Sequence, residues 1–268
     1  MLYLKNEAND FINTSSSKYS SEDIVVSFSG GKDSTVVSDL VVRALTNPII
    51  VHIFGNTTLE FPLTLDYAKR FKRDNAKTIF KKALNKEQDF YSVCNDIGPP
   101  ARMMRLCCSM FKTGPITRVP NNLYKNKNIL TYYGIRKCEF FSRSKYNRIE
   151  NNAESLKIQK QTVASPIFFW KDIDIWLYIL AEKIDFNDAY RLGYDRVGCW
   201  CCPNKFKNHT WTKSVKCMAF LSMWLLFDGY VCFNIYLSYL TSILKCVLDF
   251  LSIHDVNNAE TNGFTHQT

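Results

Sequence analysis

One short stretch near the N-terminus constrains the fold more than any other part of the sequence. Residues 24–28 form an apolar run that predicts a buried strand, and residues 35–44 predict a helix with one apolar face. The segment between them is Ser29-Gly30-Gly31-Lys32-Asp33-Ser34. Glycines let the backbone approach an anion closely, and the N–H groups at a helix start point at it. With the charge of Lys32 and the hydroxyls of Ser29 and Ser34, the stretch predicts a phosphate-binding loop.

The loop is not of the Walker A type. That pattern requires glycine at the position of Val26 and Ser or Thr at the position of Asp33. The string instead resembles the pyrophosphate loop (PP-loop) of the adenine nucleotide alpha hydrolase-like superfamily, which holds ATP pyrophosphatases, sulfurtransferases and the PAPS/APS reductases. The plainer alternative is a strand-to-helix turn that binds nothing.

Two further segments resemble nucleotide-site elements of the PAPS reductase-like family. After the apolar run 49–54, Thr57, Glu60 and Pro62 match a D-T-x-x-E-x-P string, although Asn56 replaces its aspartate. After a predicted strand at 129–133, the tripeptide Gly134-Ile135-Arg136 matches a G-x-R element. The resemblance implies that Thr57, Gly134 and Arg136 lie near the nucleotide, and an arginine suits phosphate oxygens.

Cysteine usage points to metal or redox chemistry. The chain has ten cysteines, and its polar N-terminus lacks the apolar core of an export signal. We therefore expect a cytoplasmic protein, in which a disulfide framework is not expected. Cys199 and Cys202 have C-x-x-C spacing followed by proline, and Cys107 and Cys108 are adjacent.

These four cysteines match the R-x-C-C-x-x-x-K-x-x-P and G-C-x-x-C-P elements of the same family. The resemblance implies that Cys107, Cys108, Cys199 and Cys202 ligate a [4Fe–4S] cluster. Side chains of adjacent residues point in different directions, so two neighbours converge poorly on one zinc ion, whereas a cluster offers each thiolate its own iron. Zinc, a redox disulfide and buried unliganded thiols remain the alternatives.

Over residues 23–205 the chain resembles a PAPS reductase-like family protein. The resemblance implies an enzyme that splits ATP, or a related adenylyl nucleotide, to activate a substrate for sulfur transfer. It implies roles for Lys32 and Arg136 in neutralising phosphate charge and for Asp33 in holding Mg²⁺. The intact loop and the lack of a Glu-Cys-Gly-type motif after Cys202 weaken sulfate reduction. Two alternatives are thiol-dependent PAPS or APS reduction and a non-catalytic nucleotide- and metal-binding module of a nucleic-acid modification complex.

Alternating strands and helices predict an α/β, doubly wound, mostly parallel sheet with the nucleotide at the carboxyl ends of the strands. The net charge of +9 favours an anionic partner, an adenine nucleotide first and tRNA or DNA second, alongside a sulfur donor or reductant. The basic stretch 69–86 is interpreted as a solvated face rather than a nucleic-acid groove.

We expect three regions: an N-terminal extension at 1–22, the nucleotide-binding domain at 23–205 and an apolar tail at 206–268. The apolar composition of the tail predicts a helical appendage. A membrane-associated segment and a shifted reading frame are the alternatives, and scattered polar and charged residues argue against a membrane-spanning helix.

Overall fold

A six-stranded sheet forms the centre of the computed structural model, which describes residues 1–47, 49–98, 106–124, 127–139, 143, 145–151, 161–200 and 202. The strands are β1 Ile24–Phe28, β2 Val51–Gly55, β3 Ile79–Ala83, β4 Ile129–Tyr132, β5 Ile149–Asn151 and β6 Gln161–Ala164. Their spatial order is β3-β2-β1-β4-β6-β5, and only the pairing of β5 with β6 is antiparallel among the described strands. The predicted mostly parallel α/β sheet is therefore confirmed.

Helices connect these strands. The α-helices are α1 Leu2–Ser16, α2 Lys32–Ala44, α3 Pro62–Asp74, α4 Phe90–Ile97, α5 Gly114–Leu123 and α6 Asp172–Ala181. A π-helical turn at Cys108–Thr113 leads into α5, and short 3₁₀ turns lie at Ser21–Asp23 and Asp188–Tyr190.

The side chains of β1 show that the sheet is covered on both faces. Ile24 and Val26 belong to a core cluster with residues of α1, α2 and α6. Val25, between them, packs in a separate cluster with Ile116 and Val119 of α5. Since successive strand residues point to opposite faces, α1, α2 and α6 lie on one side of the sheet and α5 lies on the other. This is the doubly wound arrangement.

The strand order places a crevice beside β1. β1 pairs with β2 on one side and with β4 on the other, all in parallel. The loops that follow β1 and β4 therefore leave the same edge of the sheet, where the chain order reverses. In doubly wound folds, ligands bind at this point.

Several element boundaries differ from the sequence prediction. The sequence predicts a helix over 4–12, and α1 extends over Leu2–Ser16. The sequence predicts a short strand at 78–80, and β3 runs to Ala83 although Lys81 and Lys82 are exposed on it. β3 is an edge strand, so exposed lysines are compatible with it. The sequence predicts a helix over 86–95. Helix α4 begins at Phe90, because the carboxylate of Asp89 accepts the N–H groups of Tyr91 and Ser92 and caps the helix there.

The sequence predicts an amphipathic helix over 172–180, with apolar residues at helical spacing at Trp170, Ile173, Trp176, Leu177 and Leu180, and α6 differs from that pattern. Ile173, Leu177 and Leu180, three of the apolar residues at helical spacing, are 59%, 47% and 66% exposed. The buried face instead carries Ile175, Tyr178 and Ile179.

The chain divides into two compact units, Met1–Ser214 and Val215–Thr268. Every described residue belongs to the first unit, and the predictions made for residues 206–268 fall outside the described residues. No helix in the described part of the chain has the length and apolarity that crossing a bilayer requires.

Candidate functional site

The predicted phosphate loop connects β1 to α2 in a conformation that requires glycine. Gly30 has φ of +71°, and a β-carbon there would lie 2.9 Å from Cγ2 of Thr64. Gly31 is the extended N-cap residue of α2, so the first turn of that helix begins at Lys32. The hydroxyl of Ser34 donates to the carbonyl of Gly31 at 2.8 Å and lies 3.1 Å from the hydroxyl of Ser29. The loop therefore presents a helix N-terminus at the sheet edge, as an anion site does.

Asn187 holds the loop from outside. Its amide Nδ2 donates to the carbonyl of Gly30 at 3.1 Å and to Oγ1 of Thr64 at 3.0 Å. Its Oδ1 accepts the N–H of Ala189 at 3.0 Å, and the residue is only 1% exposed. This side chain fixes the left-handed conformation of Gly30 against α3.

Tyr190 covers the start of α2. Its hydroxyl accepts the N–H of Lys32 at 3.1 Å and would lie 3.4 Å from a β-carbon at Gly31. The Lys32 ammonium lies 5.5 Å from the centre of the Tyr190 ring. Burial raises the pKa of the Tyr190 phenol, so the hydroxyl stays protonated and neutral at physiological pH.

Two buried cations and two carboxylates meet beside the loop. The Lys32 ammonium lies 3.0 Å from Oδ1 of Asp172 and 3.7 Å from Oδ2 of Asp33. The Arg136 guanidinium donates from Nη2 to the same Asp172 oxygen at 2.9 Å. Its Nε lies 2.7 Å from Oδ1 of Asp33 without the alignment of a hydrogen bond. The four side chains form a neutral cluster in which Asp172 touches both cations.

The pKa values follow from this arrangement. Burial alone would lower the pKa of Arg136, but the negative charges of Asp33 and Asp172 keep it above the ordinary value. Burial alone would raise the pKa of Asp172, but the hydrogen bonds and charges of Lys32 and Arg136 hold it below the ordinary value. Arg136 and Asp172 are therefore both ionised at neutral pH.

Gly134 brings the G-x-R element onto the loop. A β-carbon at Gly134 would lie 2.9 Å from the backbone carbon of Asp33 and 3.0 Å from the nitrogen of Ser34. Only a residue without a side chain lets the segment after β4 pack this closely on the first turn of α2. This contact places Arg136 within reach of Asp33.

The segment carrying Cys199 lies next to the loop. Cys199 forms an isolated antiparallel bridge with Glu60, and the N–H of Trp200 donates to the carbonyl of Leu59 at 2.9 Å. The Cys199 sulfur lies 3.3 Å from Oγ1 of Thr57, whose hydroxyl also donates to Glu60 at 3.1 Å. Thr57, predicted to lie near the nucleotide, thus contacts the cysteine segment directly.

The second cysteine pair faces this segment. The pKa of Cys107 is raised, first by its hydrogen bond with Cys108, then by burial and by the charges of Cys108, Cys199 and Cys202. Burial, with a contribution from the charge of Glu60, raises the pKa of Cys199 to about 11, while the charge of Lys112 acts in the opposite direction. Cys107 therefore lies within electrostatic range of the other three predicted cysteines.

The donor set fits a thiolate-bound metal centre. All four thiols are partly buried and free of disulfides, and ionising them would bring like charges together, which a bound cation would offset. Across the described residues, however, no three His, Cys, Asp or Glu side chains already converge on a single metal position. The ligand assignment therefore remains a prediction.

Sequence reasoning missed three residues of this site: Asp172, Asn187 and Tyr190. Asp172 opens α6, Asn187 caps a short 3₁₀ turn, and Tyr190 is the last residue of that turn. All three lie about 140 to 160 positions from the loop in sequence, and a helix start or a turn accounts for each of them locally. Two side chains around the G-x-R element differ in exposure: Tyr132 is buried in the core, and Cys138 is exposed, with its thiol donating to the carbonyl of Trp170 at 3.3 Å.

Comparisons with known proteins show the family and agree with the fold. Residues 23–205 match the phosphoadenosine phosphosulfate reductase domain. An uncharacterized protein of Methanocaldococcus jannaschii is 37% identical over 180 residues, which cover 67% of this chain and 36% of that protein. An adenosine 5'-phosphosulfate reductase of Staphylococcus epidermidis is 26% identical over 187 residues, covering 68% of this chain and 71% of the enzyme. The crystal structure of phosphoadenylyl-sulfate reductase from Candida auris matches with a TM-score of 0.56 and 18% identity, over 75% of this chain and 94% of that one.

The fold and the loop define an α/β domain of the adenine nucleotide alpha hydrolase-like type. The chain belongs to the phosphoadenosine phosphosulfate reductase domain family. It spans little more than a third of the length of its archaeal relative, at 36%.

Proposed function

We propose that this protein binds ATP at the loop Ser29–Ser34 and splits it between the α and β phosphates, activating a substrate for sulfur transfer. The observation that carries the proposal is the pair of buried cations, Lys32 and Arg136, beside the N-terminus of α2. Two fixed positive charges and a row of backbone N–H groups suit a pyrophosphate group, which bears several negative charges.

In the proposed reaction a nucleophilic oxygen of the substrate attacks the α-phosphorus. The bond from that phosphorus to the bridging oxygen breaks, and pyrophosphate leaves with the electron pair. Lys32 and Arg136 stabilise the charge that develops on the leaving group. Asp33, at the first turn of α2, is the side chain proposed to help hold Mg²⁺.

The thiols of Cys107, Cys108, Cys199 and Cys202 are proposed to hold a [4Fe–4S] cluster, with zinc as the alternative. Such a cluster would supply a site for binding or delivering sulfur, or for electron transfer. What supports its location near the nucleotide is the packing of Val197, two residues before Cys199, against Gly31 of the phosphate loop. The acceptor of the sulfur is proposed to be a small molecule or a nucleic acid.

A second candidate is thiol-dependent reduction of PAPS or APS. The family match and the exposed thiol of Cys138, whose sulfur lies 3.8 Å from Nη1 of Arg136, favour it. In that reaction the Cys138 thiolate would attack the sulfate sulfur and release the nucleotide, and a reductant would then free sulfite.

Three assays on the anaerobically purified protein separate the candidates. Pyrophosphate release from ATP, lost in Lys32→Ala and kept in the surface control Lys69→Ala, supports the first. Sulfite release from PAPS or APS that requires Cys138 supports the second. Tight nucleotide binding with neither product contradicts both and supports a non-catalytic module. Unchanged pyrophosphate release by Lys32→Ala would contradict the proposed loop chemistry.

A further inference from the structure

Asp33 and Asp172 each contact both buried cations beside the phosphate loop, but Asp172 does so through a single oxygen. Its Oδ1 lies 3.0 Å from the Lys32 ammonium and 2.9 Å from Nη2 of Arg136. No other described carboxylate oxygen contacts both of these groups. The carboxylate therefore occupies an anion position between the two residues expected to bind phosphate.

The three partners differ sharply in exposure. The side chains of Lys32 and Arg136 are only 5% and 4% exposed, whereas that of Asp172 is 59% exposed. The cations are fixed within the domain, while the carboxylate reaches them from the solvent side. Asp172 is also the first residue of α6, so its main chain can stay in place while its side chain rotates away.

Two helix starts meet at this position. Lys32 begins α2 and Asp172 begins α6, and each helix N-terminus carries a partial positive charge. Both helix termini and both cations favour an anion here, and Asp172 supplies one. A pyrophosphate group at the same place would compete with that carboxylate and be repelled by it.

We propose that Asp172 is a displaceable internal counter-anion, which holds Lys32 and Arg136 in the free protein and must leave them when phosphate groups bind. This inference rests on the proposed function of the loop. Competition from the Asp172 carboxylate lowers the affinity of the loop for pyrophosphate, which favours release of that product. The same carboxylate also explains how two buried cations stay charged and ordered between turnovers, since an unpaired buried charge is costly.

The test is calorimetric titration of the full chain with inorganic pyrophosphate in EDTA, which removes divalent metal ions. Asp172→Asn should bind pyrophosphate on the order of tenfold more tightly than wild type, because the competing hydrogen bonds to charged groups are gone. Asp172→Glu keeps the competing charge and should bind no more tightly than wild type. Asp66→Asn removes the same net charge from an exposed pair with Lys69 and should leave the affinity unchanged.

Thermal unfolding shows whether the variants are folded. Free Asp172→Asn should unfold at a lower temperature than wild type, and saturating pyrophosphate should raise its midpoint by more than it raises that of wild type. Equal or weaker pyrophosphate binding by Asp172→Asn, with wild type binding normally, would overturn this inference alone. Failure of both wild type and Asp172→Asn to bind pyrophosphate would overturn the proposed function of the loop.

Discussion

Val197 lies against Gly31, so closely that a β-carbon at the glycine would be 3.3 Å from Cγ2 of the valine. This contact brings together two parts of the chain that are far apart in the sequence. One is the phosphate loop, and the other is the segment that carries Cys199. A nucleotide at the loop and a metal centre at the cysteines would therefore be neighbours, and changes at one site should be felt at the other.

Gly134→Ala should damage the phosphate loop specifically. Its new β-carbon would press on the backbone of Asp33 and Ser34, which cannot move without shifting the first turn of α2. We expect a loss of about 1–3 kcal/mol in the free energy of unfolding and a much weaker affinity for ATP. Urea unfolding and calorimetric titration measure the two effects.

Gly55→Ala is the matched control, since its β-carbon would meet the end of the Ile116 side chain, which can rotate. It should cost stability without weakening ATP binding. Equal ATP affinities in the two glycine variants would show that the contact of Gly134 with the loop does not shape the site.

Asn187→Asp should weaken nucleotide binding without changing any group proposed to touch the nucleotide. The substitution removes the Nδ2 donor and sets a carboxylate against the carbonyl of Gly30, a buried mismatch worth about 1–3 kcal/mol. We expect the affinity for ATP to fall on the order of tenfold as Gly30 loses its fixed conformation, since a tenfold change corresponds to about 1.4 kcal/mol. In the control Asn75→Asp, which removes an amide bond to the carbonyl of Phe71 at the end of α3, stability should fall while ATP affinity is kept.

The cysteine assignment predicts the metal content. Protein purified or reconstituted without oxygen should hold about four irons per chain and show the broad visible absorption of a cluster. Cys107→Ser and Cys199→Ser should each lower the iron content, and Cys94→Ser should not, because Cys94 lies on α4 and is not one of the four. A colourless protein with one zinc ion per chain would reject the cluster.

The buried His52 predicts a loss of stability in mild acid. Its Nδ1 lies 3.0 Å from the carbonyl of Ile50 and its Nε2 lies 2.6 Å from the hydroxyl of Ser38. Burial disfavours the imidazolium and lowers the pKa to about 4, against about 6.5 in the unfolded chain. The unfolded state therefore takes up a proton first, and the contribution to stability is complete above pH 6.5 and is lost as the pH falls towards 4.

From these pKa values, the free energy of unfolding should fall by about 2 kcal/mol between pH 7 and pH 5 through this residue alone. Urea unfolding of wild type and His52→Asn at the two pH values measures how much of the fall in the free energy of unfolding is due to His52. A variant with the same pH dependence as wild type would contradict the lowered pKa.

The local parts of this structure were predictable and the long-range parts were not. The strands at 24–28 and 129–132 and the loop between β1 and α2 follow from apolar runs and glycines within a few residues. The left-handed Gly30 could be anticipated, but its partner Asn187 could not, because nothing in the sequence near Asn187 indicates a contact 157 positions away. Asp172 was hidden for the same reason: an acidic residue in the first turn of a helix has an ordinary local explanation.

Apolar periodicity was a weaker guide on α6. Ile173, Leu177 and Leu180 recur at the spacing expected of the buried face of a helix, yet they are exposed. The spacing identified the helix correctly, because any face with that period predicts a helix. It could not choose which of two apolar faces packs on the sheet, since that depends on the position of α2 and β4.

We propose above that the loop Ser29–Ser34 binds the phosphate groups of an adenine nucleotide through Lys32. Equilibrium titration of the protein with a non-hydrolysable ATP analogue tests this binding most directly, using wild type, Lys32→Ala and the surface control Lys69→Ala. We expect saturable binding by wild type and by Lys69→Ala, with affinity at least about tenfold weaker in Lys32→Ala, because a charge-assisted hydrogen bond is removed. Equal affinities in all three proteins, or no binding by wild type, would contradict it.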